Sequence, residues 1–155
     1  MPAVQRPNNY TTPNNYTTPT AEHVVAVLEK PTGEEASLRI ARDSVLRGGS
    51  ATVVVLMTSQ LRRTIREMAR QQRISTVEAE QFYLDRVREA IRNSVGGEVV
   101  IVIRRSTRVQ HVLATAFEAR ATALAIPTSM AGRRGWGRAL ATSPIPVTFT
   151  PALAA

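Results

Sequence analysis

The chain has 155 residues, enough for one compact domain that buries roughly two thirds of the surface its unfolded form exposes. Hydrophobic residues make up 43% and charged residues 21%, an ordinary globular balance that excludes a mainly disordered or fibrous chain. Cysteine is absent, which excludes disulfides, thiolate zinc sites, iron–sulfur clusters and cysteine nucleophiles. A formal net charge of +8, carried by nineteen Arg and the single Lys30 against twelve acidic residues, favours anionic partners. No apolar run approaches the ~20 residues that span a bilayer, and the N-terminus lacks a basic start followed by an apolar stretch. The expectation is a cytoplasmic protein.

Residues 1–20 read as a tail, and 21–155 as one domain. Within the tail Pro7-Asn-Asn-Tyr-Thr-Thr12 is repeated as Pro13-Asn-Asn-Tyr-Thr-Thr18. Prolines at this interval remove backbone donors, and Tyr10 and Tyr16 offer little apolar surface to offset the entropy of ordering.

The domain alternates between two patterns. His23 to Leu28 is a short β-branched apolar run, predicted to be a strand buried on both faces. Glu34 and Glu35 open a helix carrying Ala36, Leu38, Ile40, Ala41, Val45 and Leu46, which stops at Gly48-Gly49. Ala51 to Leu56 is a second buried strand. From Leu61 to Arg73, helical spacing puts Leu61, Ile65, Met68 and Ala69 on one side and Arg62, Arg66, Arg70 and Arg73 on the other. Ser75-Thr-Val-Glu78 is a capping box, predicting a second helix whose apolar face holds Val77, Ala79, Tyr83, Leu84, Val87, Ala90 and Ile91, with Phe82 on the polar side. A strand at Glu98–Ile103, a helix over about Ser106–Ala119, and strands at Thr122–Ile126 and Ile145–Thr150 complete the series. Five such strands joined through helices predict a doubly wound, mostly parallel five-stranded sheet with helices on both faces.

In such a sheet the ligand lies beyond the carboxyl ends of the strands. The first strand delivers Glu29 there, a candidate for holding a ribose or a metal, and the fourth delivers Ser129. After it comes Gly132-Arg133-Arg134-Gly135-Trp136-Gly137-Arg138, where glycines let a backbone approach phosphate and arginines add bidentate donors. A Walker-type phosphate loop is missing. His23 and His111 belong to no triad or metal pattern, and no paired acid and base is visible, so a binding protein is expected in place of an enzyme.

These residues resemble the universal stress protein family over roughly 22–150. Val24-Val-Ala-Val27 with Pro31 and Ala36 is similar to that family's first strand and turn. Gly132-Arg-Arg-Gly135 is similar to the start of its nucleotide loop, and Ser143-Pro-Ile-Pro-Val147 to the approach to its last strand. Leu28 stands where the family carries an Asp, with Glu29 beside it, and the interval from Gly135 to Thr142-Ser143 is shorter than the family's. The resemblance implies a doubly wound fold, a homodimer formed through Ile145 to Thr150, and an adenine nucleotide such as ATP, accompanied by Mg2+. Its phosphates would lie at Gly132, Arg133, Arg134, Gly135 and Ser143, and its base against Val27. The alternative is a nucleotide-independent dimeric binding protein, with nucleic acid as the partner of Arg62, Arg66, Arg70 and Arg73 and of Arg104, Arg105 and Arg108.

Overall fold

The computed structural model describes residues 21–31 and 35–151; the repeat-containing tail lies outside them. Strand β1 is His23–Leu28, followed by helix α1 (Glu35–Leu46), β2 (Ser50–Leu56), α2 (Ser59–Gln72), α3 (Thr76–Val95) and β3 (Val100–Arg104). Then come α4 (Val109–Glu118), β4 (Ala123–Pro127), the short helices α5 (Thr128–Ala131) and α6 (Trp136–Ala141), and β5 (Val147–Thr150). All strand pairings are parallel, in the order β3-β2-β1-β4-β5.

The apolar runs form strands because both faces of the inner strands are covered, and the two-residue period of a strand divides their side chains. Val25 and Val27 of β1 join Val54, Leu56, Leu124 and Ile126 beneath α4 and α6. Val24, Ala26 and Leu28 join Val53 and Val55 beneath α1 and α3. Each fully buried Val or Leu contributes on the order of 1.5–3 kcal/mol, so these two layers dominate stability. A third cluster lies at the carboxyl end of the sheet, where Leu61, Ile65 and Ala69 of α2 meet Ala79 and Leu84 of α3.

Helix starts follow the capping chemistry. The Ser75 hydroxyl accepts from the Glu78 amide at 3.1 Å and donates to the Glu78 carboxylate at 3.2 Å, and the Thr58 hydroxyl accepts from the Leu61 amide at 3.1 Å. The two glycines after α1 do different work. Gly48 takes a left-handed φ of 88°, whereas at Gly49 a Cβ would lie 2.6 Å from the Glu22 carbonyl and 2.8 Å from the Ser44 hydroxyl. The turn therefore needs backbone freedom at one position and close approach at the next. His23 joins the first two strands, one ring nitrogen 2.6 Å from the Ser50 hydroxyl and the other 2.8 Å from that of Thr52, and burial pushes its pKa down.

Some boundaries and faces differ from the expectation. Strand β3 starts at Val100 and α4 at Val109, whose preceding residue, Arg108, supplies no side-chain cap. Leu46 is exposed because a 100° step per residue places it well off the line through Leu38 and Ala41. Val77 is exposed in the first turn of α3, ahead of Ala79, the first residue of that helix to be buried. Phe82 is exposed, as its place on the polar side predicts.

Candidate functional site

The strand order locates the site. The chain moves outward from β1 to β2 and β3, then returns across the sheet to place β4 on the other side of β1. The crevice beyond the carboxyl ends of β1 and β4 is therefore the switch point, where parallel sheets hold their ligands.

Glu29 leaves β1 at that crevice and is only 8% exposed. One carboxylate oxygen accepts from the Ser129 hydroxyl at 3.0 Å, and the other from Arg133 through Nε at 3.1 Å and Nη2 at 2.8 Å. A nearly buried carboxylate needs such partners, because charge removed from water is costly unless paired. Residues 100 and 104 positions away from Glu29 thus clamp the first strand to the loop after the fourth. Thr128 adds a bond from its hydroxyl to the Thr150 carbonyl, 2.8 Å, tying the same loop to β5.

The loop is held by its own turns. The amides of Gly132 and Arg133 both donate to the Met130 carbonyl, and that of Trp136 to the Arg133 carbonyl. Gly135 adopts a left-handed φ of 83°, which glycine alone takes at no steric cost, and it caps α6. Arg134 and Gly135 are the central residues of the second turn, and their amides are not its donors. Trp136 is buried and donates its indole N–H to the Thr107 carbonyl at 3.2 Å, fixing the loop to the segment after β3.

A cleft of about 330 Å³ opens between these two segments, with Arg108, Arg134, Gly135 and Trp136 among its walls. A smaller one, about 190 Å³, lies beyond β1 and β2, walled by Glu29, Lys30, Thr58 and Tyr83. Glu29 borders the second cleft and Arg133 the first, so their ion pair divides them. Burial raises the Tyr83 pKa, keeping its phenol neutral.

Of the residues expected at the site, Glu29, Ser129 and Arg133 come together, and Arg134 and Gly135 lie beside them. Gly132 forms the turn. Val27 is fully buried within the sheet layer, and Ser143 caps the turn into β5, accepting from the Ile145 amide at 3.1 Å. Sequence reasoning missed Trp136 and Thr107 as parts of the site and assigned Arg108 to a different cluster. The position of Arg108 shortly after a strand's carboxyl end was the signal available. Among the described residues there is no group of three or more His, Asp or Glu that could hold a metal ion. Both Glu29 oxygens accept hydrogen bonds here, one from Ser129 and the other from Arg133. No helix among the described residues is long and apolar enough to cross a membrane.

Among solved structures, a universal stress protein in complex with cAMP superposes with a TM-score of 0.51, at 12% identity, over 87% of this chain and 100% of its own. The fold is that of the universal stress proteins. A hypothetical protein, PH0823, superposes on it with a TM-score of 0.53, again at 12% identity, over 88% of this chain and 100% of its own. No protein-family model and no curated protein matches the sequence. At such identity the likeness is one of universal-stress-protein architecture, and the chemistry of the crevice has to be argued from this chain's own residues.

Proposed function

We propose that the protein is a universal-stress-protein-like regulatory protein that binds an adenine nucleotide at the β1/β4 crevice and acts through partners in place of turnover. The observation that carries this reading is the Arg133–Glu29–Ser129 clamp at the switch point, flanked by a cleft bordered by Arg108 and Arg134. Guanidinium groups recognise phosphate bidentately, and a cleft lined by Arg108, Arg133 and Arg134 suits a small anion-bearing ligand. The cAMP carried by a neighbour of the same fold supports an adenine nucleotide as the class.

The phosphates would lie against the Arg134 and Gly135 amides with Arg108 and Arg134 as counter-charges, and the base beyond the end of β1 in the smaller cleft. A nucleotide spanning both clefts competes with Glu29 for Arg133. Any Mg2+ would be held chiefly by the phosphates, since the described residues group no three carboxylates or histidines. Calorimetric titration with ATP, AMP and cAMP tests the reading: heat saturating at micromolar to millimolar ligand is expected, and no heat at millimolar concentration of all three removes it.

Strand β5 is an edge strand with Phe149 45% exposed, and an apolar edge left open is a liability. This supports a homodimer through β5. Phe149→Arg should then convert a dimer to a monomer in light scattering, and a parent chain that is itself monomeric at high concentration would exclude the dimer.

A further inference from the structure

Helix α2 is not needed to return the chain to the sheet. The connection from β2 to β3 already has α3, whose Val87, Ile91 and Val95 pack on the strands, whereas α2 buries Leu61, Ile65 and Ala69 in the separate cluster with α3. Besides walling the smaller cleft with Gln60, Leu61 and Thr64, α2 adds its outer surface. Arg62, Arg63, Arg66, Arg70 and the capping residue Arg73 are all exposed, and a 100° step per residue confines them to about 100° of the helix circumference. Glu67 is the only acidic residue on the helix, paired with Arg70. Arg62 is turned toward the end of β3, donating to the Arg105 carbonyl at 2.7 Å, and the Arg105 guanidinium is paired with Glu80 at 2.6 Å, so among the described residues the unpaired positive charge of the stripe lies at Arg63, Arg66 and Arg73.

We infer that this face of α2 is a docking surface for the phosphate backbone of nucleic acid. Successive arginines at i and i+4 are about 6 Å apart along the axis, and the stripe extends over about 16 Å from Arg62 to Arg73, long enough to meet several phosphates of one strand. The face offers a membrane no apolar residue to insert, because Leu61, Ile65 and Ala69 hold α2 to α3, and this favours nucleic acid as the partner. The stripe carries no aromatic residue, so it reads backbone charge in place of bases. Arginine in place of lysine suits bidentate contact with phosphate oxygens.

The test is fluorescence anisotropy of the full chain with a labelled 20-base-pair DNA duplex and a labelled 20-nucleotide RNA across a salt series. Arg63→Gln/Arg66→Gln/Arg70→Gln removes three charges while keeping good helix formers. Arg39→Gln/Arg42→Gln/Arg92→Gln removes three exposed charges elsewhere. The parent and the second variant should bind with affinity that falls steeply as salt rises. The α2 variant should bind at least 10-fold more weakly, with the log–log salt slope reduced by about 3. Equal loss in both variants would show net charge and not a site. Absence of binding by the parent at low salt, or tighter binding to anionic vesicles or polyglutamate than to either nucleic acid, would overturn the inference. None of the substituted residues borders the nucleotide clefts, so a failed nucleotide titration leaves this result intact.

Discussion

Replacing Trp136 with alanine should lower the free energy of unfolding by about 4 kcal/mol, the range found when a large aromatic side chain is removed from a core. The indole is 2% exposed and packs in the cluster that joins α4, α6 and the inner strands. It also answers the Thr107 carbonyl, so truncation opens a cavity and leaves a carbonyl without its donor. Trp136→Phe keeps most of the packing and loses the hydrogen bond, and should cost about 1–2 kcal/mol. Urea denaturation followed by circular dichroism reads both, since the chain has a single Trp and its fluorescence disappears with the substitution. Equal stability of Trp136→Ala and the parent would mean that the loop is not anchored as described. The folded Phe variant should also bind nucleotide less tightly, because Thr107 and Gly135 stand on opposite walls of the cleft that the indole holds together.

Replacing Glu29 with glutamine should tighten nucleotide binding by about 10-fold, roughly 1.4 kcal/mol, the order of a hydrogen bond to a charged group. Glutamine keeps the shape of the side chain and can still accept from Ser129. It no longer holds Arg133 as a carboxylate does, through two donors at 3.1 and 2.8 Å, and it removes a negative charge from the place where phosphates must approach. Arg133 has 36% of its side chain exposed, so solvent screens the pair and the gain stays near this lower bound. Arg133→Ala should weaken binding by a similar factor. The outcome that contradicts competition is weaker binding by Glu29→Gln, which would assign Glu29 a direct contact with the ligand, such as a ribose hydroxyl.

The sequence showed most of the fold because parallel strands buried on both faces leave a distinctive trace. Val24 to Leu28 and Val53 to Leu56 are apolar without alternation, and the capping box at Ser75 marks the start of α3 to within a residue. Leu46 was misplaced by counting apolar residues without their angles, and the last strand began two residues late because Ile145 is buried in the turn before it and not in the sheet. The Gly/Arg stretch read as one loop, whereas Gly132 caps the end of α5 and Trp136 to Arg138 open α6. The site was legible as a place but not as an arrangement. Gly135 and the arginines were visible as a group, but the pairing of Arg133 with Glu29 joins residues 104 positions apart, and no periodicity carries that information. Trp136 looked like a loop aromatic. Its burial depends on α4 lying across the same face, which is a property of the topology.

The nucleotide proposal turns on where a ligand touches the protein, and amide and indole chemical shifts in a titration with ATP report that residue by residue. The Arg134 and Gly135 amides and the single indole N–H of Trp136 are predicted to move together along one saturating curve. Gln60, Leu61 and Thr64, which line the smaller cleft, should join that curve, whereas the outer residues Arg63, Arg66 and Arg70 should follow, if they move at all, a separate and salt-sensitive one. Shifts confined to the outer face of α2 at Arg63, Arg66 and Arg70, with the loop, the indole and the residues of both clefts unmoved at millimolar ATP, would contradict the assignment of the crevice as the nucleotide site.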